Sequence, residues 1–328
     1  MKNHLWIMLG AIALGATAGF AELNVLCTTF PVYQIARNVA QGREGVDLRL
    51  MLPAGMGCPH DYALTPQDMR KLAGADVLVV NGLGLEEFLG APVLAANPDL
   101  ETIDSSAGIA NLLEYAHEHS EAEEEHDHEV EHEHDHEAEA DHDHEGHDHA
   151  HHHHEGVNPH LFASPRQAAR IALNVAGGLS KADPEGAGVY FRNAQAYAER
   201  MNALADEMAA FVQTLKNNRI VEPHGVFDYL ARDMGLEIVA VLRPHGQEPS
   251  AAEMLELVRV IRAKQAGAIF TEPQYSAKVG EALARETGLP LAALDPAATG
   301  PEGAPPDYYE TVMRKNMEVL GATLGVNP

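Results

Sequence analysis

The chain has 328 residues, with 22 Lys and Arg against 49 Asp and Glu, a formal charge of −27. Such an excess of anions weighs against nucleic acid and anionic membrane surfaces as partners and favours cations. Its length exceeds one comfortable hydrophobic core, so two domains are expected.

In chain order, Lys2, the apolar run 5–18 and the small-residue site Gly19-Phe20-Ala21 read as a secretory signal peptide over residues 1–21, cleaved before Glu22. The mature chain is therefore expected in a Gram-negative periplasm. A lipoprotein reading fails at Cys27, because Leu26 stands where a small residue should precede an acylated cysteine. No other run approaches the roughly 18 apolar residues that a membrane span needs.

Strand-like runs alternate with helical patterns, the signature of parallel sheets flanked by helices. The first half predicts strands at 23–28, 46–52, 77–81 and 101–103, with helices near 31–40, 66–72 and 85–95. The second half predicts strands at 220–222, 237–242, 268–271 and 291–294, with helices near 226–234, 251–264, 277–287 and 307–324. Between the halves, Ser164-Pro165 and Asp183-Pro184 each place an N-cap residue before Pro at the first helical position. Ala194, Ala198, Met201, Leu204, Ala205, Met208 and Val212 keep one apolar face. A helix over 184–216 would thus reach about 45 Å and join an N-terminal α/β lobe (22–183) to a C-terminal one (217–328) as a stiff hinge.

Residues 114–155 hold 15 His and 18 Asp or Glu with no Lys or Arg, which leaves a charge of only −9 for the rest of the chain. Almost nothing in this tract is apolar, so it reads as a disordered loop within the first lobe. Imidazole suits zinc, copper and nickel, and the interleaved carboxylates concentrate divalent cations. The expected auxiliary, weak metal ligands are His126, His128, His132, His134, His136, His142, His144, His147, His149, His151, His152, His153 and His154. The competing reading is a solvated acidic linker.

Outside the tract four positions stand out: His60 in Pro59-His60-Asp61, His160 in Asn158-Pro159-His160, His224 in Pro223-His224-Gly225, and Asp295 in Leu294-Asp295-Pro296. Each alone is a common turn residue. Their shared position is more telling, since ligands of open α/β sheets bind outside the carboxyl ends of strands. Glu272 is a candidate hydrogen-bond partner for a ligand histidine or a member of a cleft salt bridge. His245 is read as a solvated loop residue. For Cys27 and Cys58 three readings stay open: a disulfide, two free thiols, or Cys58 as a metal ligand beside His60.

The mature chain resembles the periplasmic solute-binding proteins of zinc and manganese ABC transporters, most of all the zinc-uptake type with a His-rich loop. The segments that carry the resemblance are Thr28-Thr29-Phe30-Pro31, Pro53-Ala54-Gly55 with Pro59-His60, Asn81-Gly82-Leu83-Gly84-Leu85-Glu86, Asn158-Pro159-His160, His224-Gly225-Val226-Phe227-Asp228-Tyr229, Glu248-Pro249-Ser250, Phe270-Thr271-Glu272-Pro273-Gln274-Tyr275 and Leu294-Asp295-Pro296. They occur in the family's order over nearly the full length. The resemblance implies two Rossmann-like lobes with parallel sheets joined by one long helix, and a metal cleft between them whose ligands fall on His60, His160, His224 and Asp295. Two departures are Pro59, where some zinc-type members carry an acidic residue, and Cys58.

Three imidazoles and one carboxylate suit tetrahedral zinc, whereas manganese-type relatives tend to carry a carboxylate where this chain has His224. The expected function is Zn²⁺ capture and delivery to an inner-membrane ABC permease, by a monomer that binds no nucleic acid and exchanges zinc with a periplasmic metallochaperone in one reading of the loop. The alternatives are binding of manganese or another divalent metal, a surface adhesin, and a zinc hydrolase. The last would need an open coordination position and a general base; Asp295 fills the position, and no predicted helix carries H-E-x-x-H.

Overall fold

Along the first strand, Val25 and Cys27 point to one side of the sheet and Leu26 to the other, and all three are buried. That alternation is what a strand covered on both faces requires. The computed structural model describes residues 22–57, 59, 62–114, 156–243 and 248–327. The expected signal peptide, Cys58, His60, the histidines of the acidic tract and His245 lie outside the described residues.

The first lobe runs β1 (Leu23–Cys27), α1 (Phe30–Ala40), β2 (Val46–Leu50), α2 (Pro66–Ala73), β3 (Val77–Val80), α3 (Gly90–Ala96) and β4 (Glu101–Asp104). Its strands are parallel in the order β2-β1-β3-β4. The second lobe repeats the plan with β5 (Arg219–Glu222), α6 (Asp228–Met234), β6 (Glu237–Val241), α7 (Ala251–Ala263), β7 (Ala268–Thr271), α8 (Lys278–Thr287), β8 (Leu291–Ala293) and α9 (Tyr308–Leu324), in the order β6-β5-β7-β8. Local chemistry sets several boundaries. Capping boxes start α2 at Thr65 and Asp68 and α7 at Ser250 and Glu253. Left-handed Gly235 and Gly288 end α6 and α8.

Between the lobes lie α4 (Pro165–Ala182) and α5 (Ala187–Val212), joined by a 3-10 turn at Pro184–Gly186. The expected single helix over 184–216 is thus shorter at both ends. Asp183 accepts from Gly186 N and closes the turn in 3-10 geometry, and the helix ends at Val212 before Thr214 bonds back to Phe211. Its 26 residues span about 39 Å. Tyr190, Ala194, Tyr197, Ala198, Met201, Leu204, Ala205, Met208 and Val212 form the buried face. One apolar core runs from Val25 and Val79 through α4 and α5 to Ile220, Phe270 and Met313, so the inner faces of both sheets share it. The outer faces have separate cores, under α2 and α3 in one lobe and α7 and α8 in the other. Polar ties cross the lobes as well: Gly300 N donates to Ala54 O (3.0 Å), and Arg37 Nη1 to Ala304 O (2.8 Å).

Two further expectations are corrected. The helix expected from Leu85 begins at Gly90, because Gly82, Leu83 and Gly84 all have positive φ and Glu86 folds back onto the loop. A Cβ on Gly82 would also lie 2.1 Å from Asp104 Oδ1. The Cys27–Cys58 disulfide is not formed: Cys27 is a free thiol. Its side chain sits in the shared core with Val25 and Ile35, where burial pushes the thiol pKa well up. Among the described residues no helix is long and apolar enough to cross a membrane.

Candidate metal centre

In each lobe the chain leaves the first strand towards one neighbour and later returns on its other side, which opens a crevice at the strands' carboxyl ends. In the second lobe that crevice lies between β5 and β7. His224 stands two residues after Glu222, the last residue of β5, and Glu272 directly follows Thr271, the last of β7. Asp295 follows β8 by two residues. His160 arrives from the other side of the cleft, immediately before the 3-10 turn Leu161–Ala163 that leads into α4.

The structure brings His160 and His224 together. Their rings meet edge to face with centroids 5.3 Å apart at 85°. His160 is fully buried, and His224 retains 12% of its side-chain exposure. Behind His224, Nδ1 lies 2.9 Å from Glu272 Oε1. The approach is off the hydrogen-bond line, so both atoms are buried without a formal hydrogen-bond partner. Glu272 is itself held by Gln274 Nε2, which donates to its Oε2 at 2.7 Å.

Asp295 is fixed differently. Its main chain is clamped by Asn316, whose Oδ1 accepts from Asp295 N (3.0 Å) and whose Nδ2 donates to Asp295 O (2.7 Å). Its Oδ1 accepts from Ala297 N at 2.8 Å, leaving Oδ2 as the oxygen a cation would take. Burial raises its pKa, with the Ala297 N–H opposing and Glu272 adding to the rise. Among the described residues no three His, Cys, Asp or Glu side chains close round one metal position. His160 and His224 meet, Asp295 does not complete a group with them, and His60 lies outside the described residues.

Residues that sequence reading did not assign also shape the centre. Glu222 is wholly buried, and burial first and Asp228 second push its carboxyl pKa well up. Asp228 is raised by burial too, against hydrogen bonds from Glu222 and Asn158. With Glu272 and Asp295, four carboxyl groups surround the His224 loop. Such a lining of carboxyl oxygens disfavours an anion. On the open side Tyr275 lies edge-on to His224 at 6.2 Å and carries the Arg243 guanidinium over its ring at 5.6 Å. Asn158 packs behind His160, its Oδ1 2.8 Å from His160 Nδ1. The signal for Asn158 was in the sequence, since Asx side chains bond the backbone two residues on.

The family described as zinc-uptake complex component A, periplasmic, matches residues 25–323. The chain is 30% identical over 309 residues to the zinc-binding protein AdcA of Streptococcus pyogenes serotype M6, a match covering 93% of this chain and 56% of AdcA. It therefore spans little more than half the length of that relative. To the high-affinity zinc uptake system protein ZnuA of Bacillus subtilis it is 26% identical, covering 97% of this chain and 94% of ZnuA. Among solved structures, the solute-binding protein FpvC of Pseudomonas aeruginosa in complex with Ni²⁺ superposes with a TM-score of 0.71 at 27% identity, over 92% of this chain and 97% of FpvC. A ZnuA crystal structure gives 0.69 at 24% identity over 92% and 99%, a likeness of fold. By its sequence the chain belongs to the family described as zinc-uptake complex component A, periplasmic.

Proposed function

We propose that the protein captures Zn²⁺ in the periplasm and delivers it to an inner-membrane ABC permease, with His60, His160, His224 and Asp295 as the ligands. The observation that carries this reading is the meeting of His160 and His224 at 5.3 Å across the cleft, each ring with an acceptor behind its Nδ1. An imidazole whose Nδ1–H is held in this way offers the Nε2 lone pair to a metal. Three imidazoles and one carboxylate give the tetrahedral N/O set that zinc takes, with no position left for a reactive water. The protein then binds and releases its cargo without transforming it.

The organisation that accompanies this function is a leader at 1–21, lobes at 22–183 and 217–328, and a connecting segment at 184–216. The protein acts as a monomer, and its His-rich tract collects zinc and passes it to the cleft or to a metallochaperone.

Metal analysis of the purified protein, with zinc, manganese and nickel in competition, tests the assignment. One tight zinc is expected. Replacing His60, His160 and His224 together by Ala should remove it and spare weak zinc on the tract. At nanomolar affinity and about 10 μM free zinc, binding should stabilise the fold by roughly 5 kcal/mol. A melting curve unmoved by zinc sinks the proposal. Deleting residues 116–155 should spare the tight zinc and slow loading at limiting metal, and loading at the unaltered rate would reduce the tract to a linker.

A further inference from the structure

Asn158 is fully buried and uses every hydrogen-bonding capacity of its side chain. Its Oδ1 accepts from the main-chain N–H of His160 (2.9 Å) and faces His160 Nδ1 (2.8 Å). Its Nδ2 donates to Gly225 O (2.7 Å) and Asp228 Oδ2 (2.8 Å). Two lone pairs and two N–H groups are the whole complement of an amide. The main chain is pinned too, with Asn158 N donating to Leu113 O (2.7 Å) and Tyr229 OH donating to Asn158 O (2.8 Å).

This pattern fixes which end of the amide is oxygen. A flipped amide would set oxygen against the Gly225 carbonyl and the Asp228 carboxylate and NH₂ against the His160 main-chain N–H, costing three buried hydrogen bonds. With Oδ1 towards the ring, His160 Nδ1 must carry the proton and Nε2 keeps its lone pair. Gly225 is the residue after His224, so the same side chain also ties the His160 segment to the His224 loop.

We propose that Asn158 is the positioning residue of the metal centre, holding His160 as its Nδ1–H tautomer and locking it to the His224 loop before a divalent cation arrives. The inference rests on the reading of His160 and His224 as ligands. The two rings are oriented by different chemistry. His224 has the Glu272 carboxylate behind it, whereas a neutral amide serves His160, setting the tautomer without adding another charge beside Asp228 and Glu222. Asp at position 158 would face Asp228 and lose both donors, and Ala would remove the acceptor that faces Nδ1.

The test is ¹⁵N-histidine NMR of the full-length, metal-free protein at roughly pH 8, above the ordinary imidazole pKa of about 6.5, together with zinc affinity by chelator competition. The His160 signals are assigned by their loss in His160→Gln. They should report protonated Nδ1 and unprotonated Nε2. Asn158→Ala should give mixed tautomers and weaken zinc binding by about 10- to 100-fold. Asn158→Asp, which keeps an oxygen facing the ring, should recover the tautomer and part of the affinity. Asn174→Ala, which removes bonds to Ser105 O and Ala107 O and none to Asn158 or His160, should alter melting only. A wild-type His160 protonated on Nε2 overturns the proposal even if no variant folds, as does Asn158→Ala with mixed tautomers and unchanged affinity. Undiminished zinc affinity in His160→Gln instead overturns the ligand reading on which the proposal rests.

Discussion

The two lobes share a strand order but fill their crevices differently. Between β1 and β3 of the first lobe the crevice is sealed by the protein's own Glu86. Its Oε1 accepts from Thr28 Oγ1 (2.6 Å) and Asn81 N (2.7 Å), and its Oε2 from Gly82 N (3.1 Å). Between β5 and β7 of the second lobe, Glu222 Oε2 accepts the Phe227 N–H (2.9 Å), and His224 and Glu272 stand at the strand ends. One topology thus makes two anion-lined crevices. The first spends its carboxylate on backbone N–H groups and becomes structural. The second keeps its carboxylates near an imidazole and suits a cation. Even the structural side serves the site, since Asn81 Nδ2 donates to Pro159 O at 2.9 Å, next to His160.

This contrast can be broken most directly at His224. His224→Ala should weaken zinc by more than the about 100-fold that loss of an outer partner costs, measured by chelator competition, and should abolish the zinc-dependent shift in melting. Next in size, Glu272→Gln should cost about 10- to 100-fold in zinc affinity while moving metal-free stability little. The mirror experiment in the first lobe is Glu86→Gln. It sets an NH₂ where Oε1 or Oε2 accepts buried N–H groups, so stability should fall by about 1–3 kcal/mol in urea unfolding, with zinc affinity held within about tenfold. If Glu86→Gln and Glu272→Gln cost equal affinity, the division between a structural and a metal crevice is wrong.

The smallest expected effect concerns the join between the first lobe and the central helices. Asp183 binds Arg43 through two hydrogen bonds (2.8 and 2.9 Å) and accepts from Tyr190 OH (2.6 Å). The Arg43 hydrogen bond, ahead of the Tyr190 bond, holds the Asp183 pKa down to about 2. Because the folded pKa lies below the ordinary 3.8, the stabilisation is complete above that value and disappears as pH falls through about 2. Asp183→Asn should flatten this acid-side dependence of the urea midpoint and leave zinc affinity at neutral pH unchanged.

Much of the fold was readable in the chain. Val77–Val80 reads as a strand buried on both faces because every residue is apolar and β-branched or Leu. Ser164-Pro165 marks the start of α4, and Asp183-Pro184 the turn that leads into α5, because the fixed φ of Pro at a first helical position is local chemistry. Reading failed where conformation depended on a distant contact. Leu85 appeared to start a helix, yet three positive-φ residues and the Glu86 carboxylate keep the segment irregular as far as Leu89. Cys27 looked able to reach Cys58, but strand alternation turns it into the shared core. Of the candidate site, His160, His224 and Glu272 could be picked out as residues after strands or turns. Their mutual approach could not, because His224 and Glu272 meet through the pairing of β5 with β7 and His160 reaches them only through the packing of the lobes.

By itself the sequence determined the class of ligand and the alternation of elements, since both follow from residue type and short-range period: imidazoles and carboxylates for a metal, apolar runs and caps for strands and helices. Tertiary structure decided which nitrogen each imidazole presents and which crevice is structural. Those depend on Asn158 meeting the Gly225 carbonyl, Glu272 meeting His224, and Glu86 meeting Thr28. Such contacts bring together groups from 48 to 67 positions apart in the chain, and no local pattern encodes them.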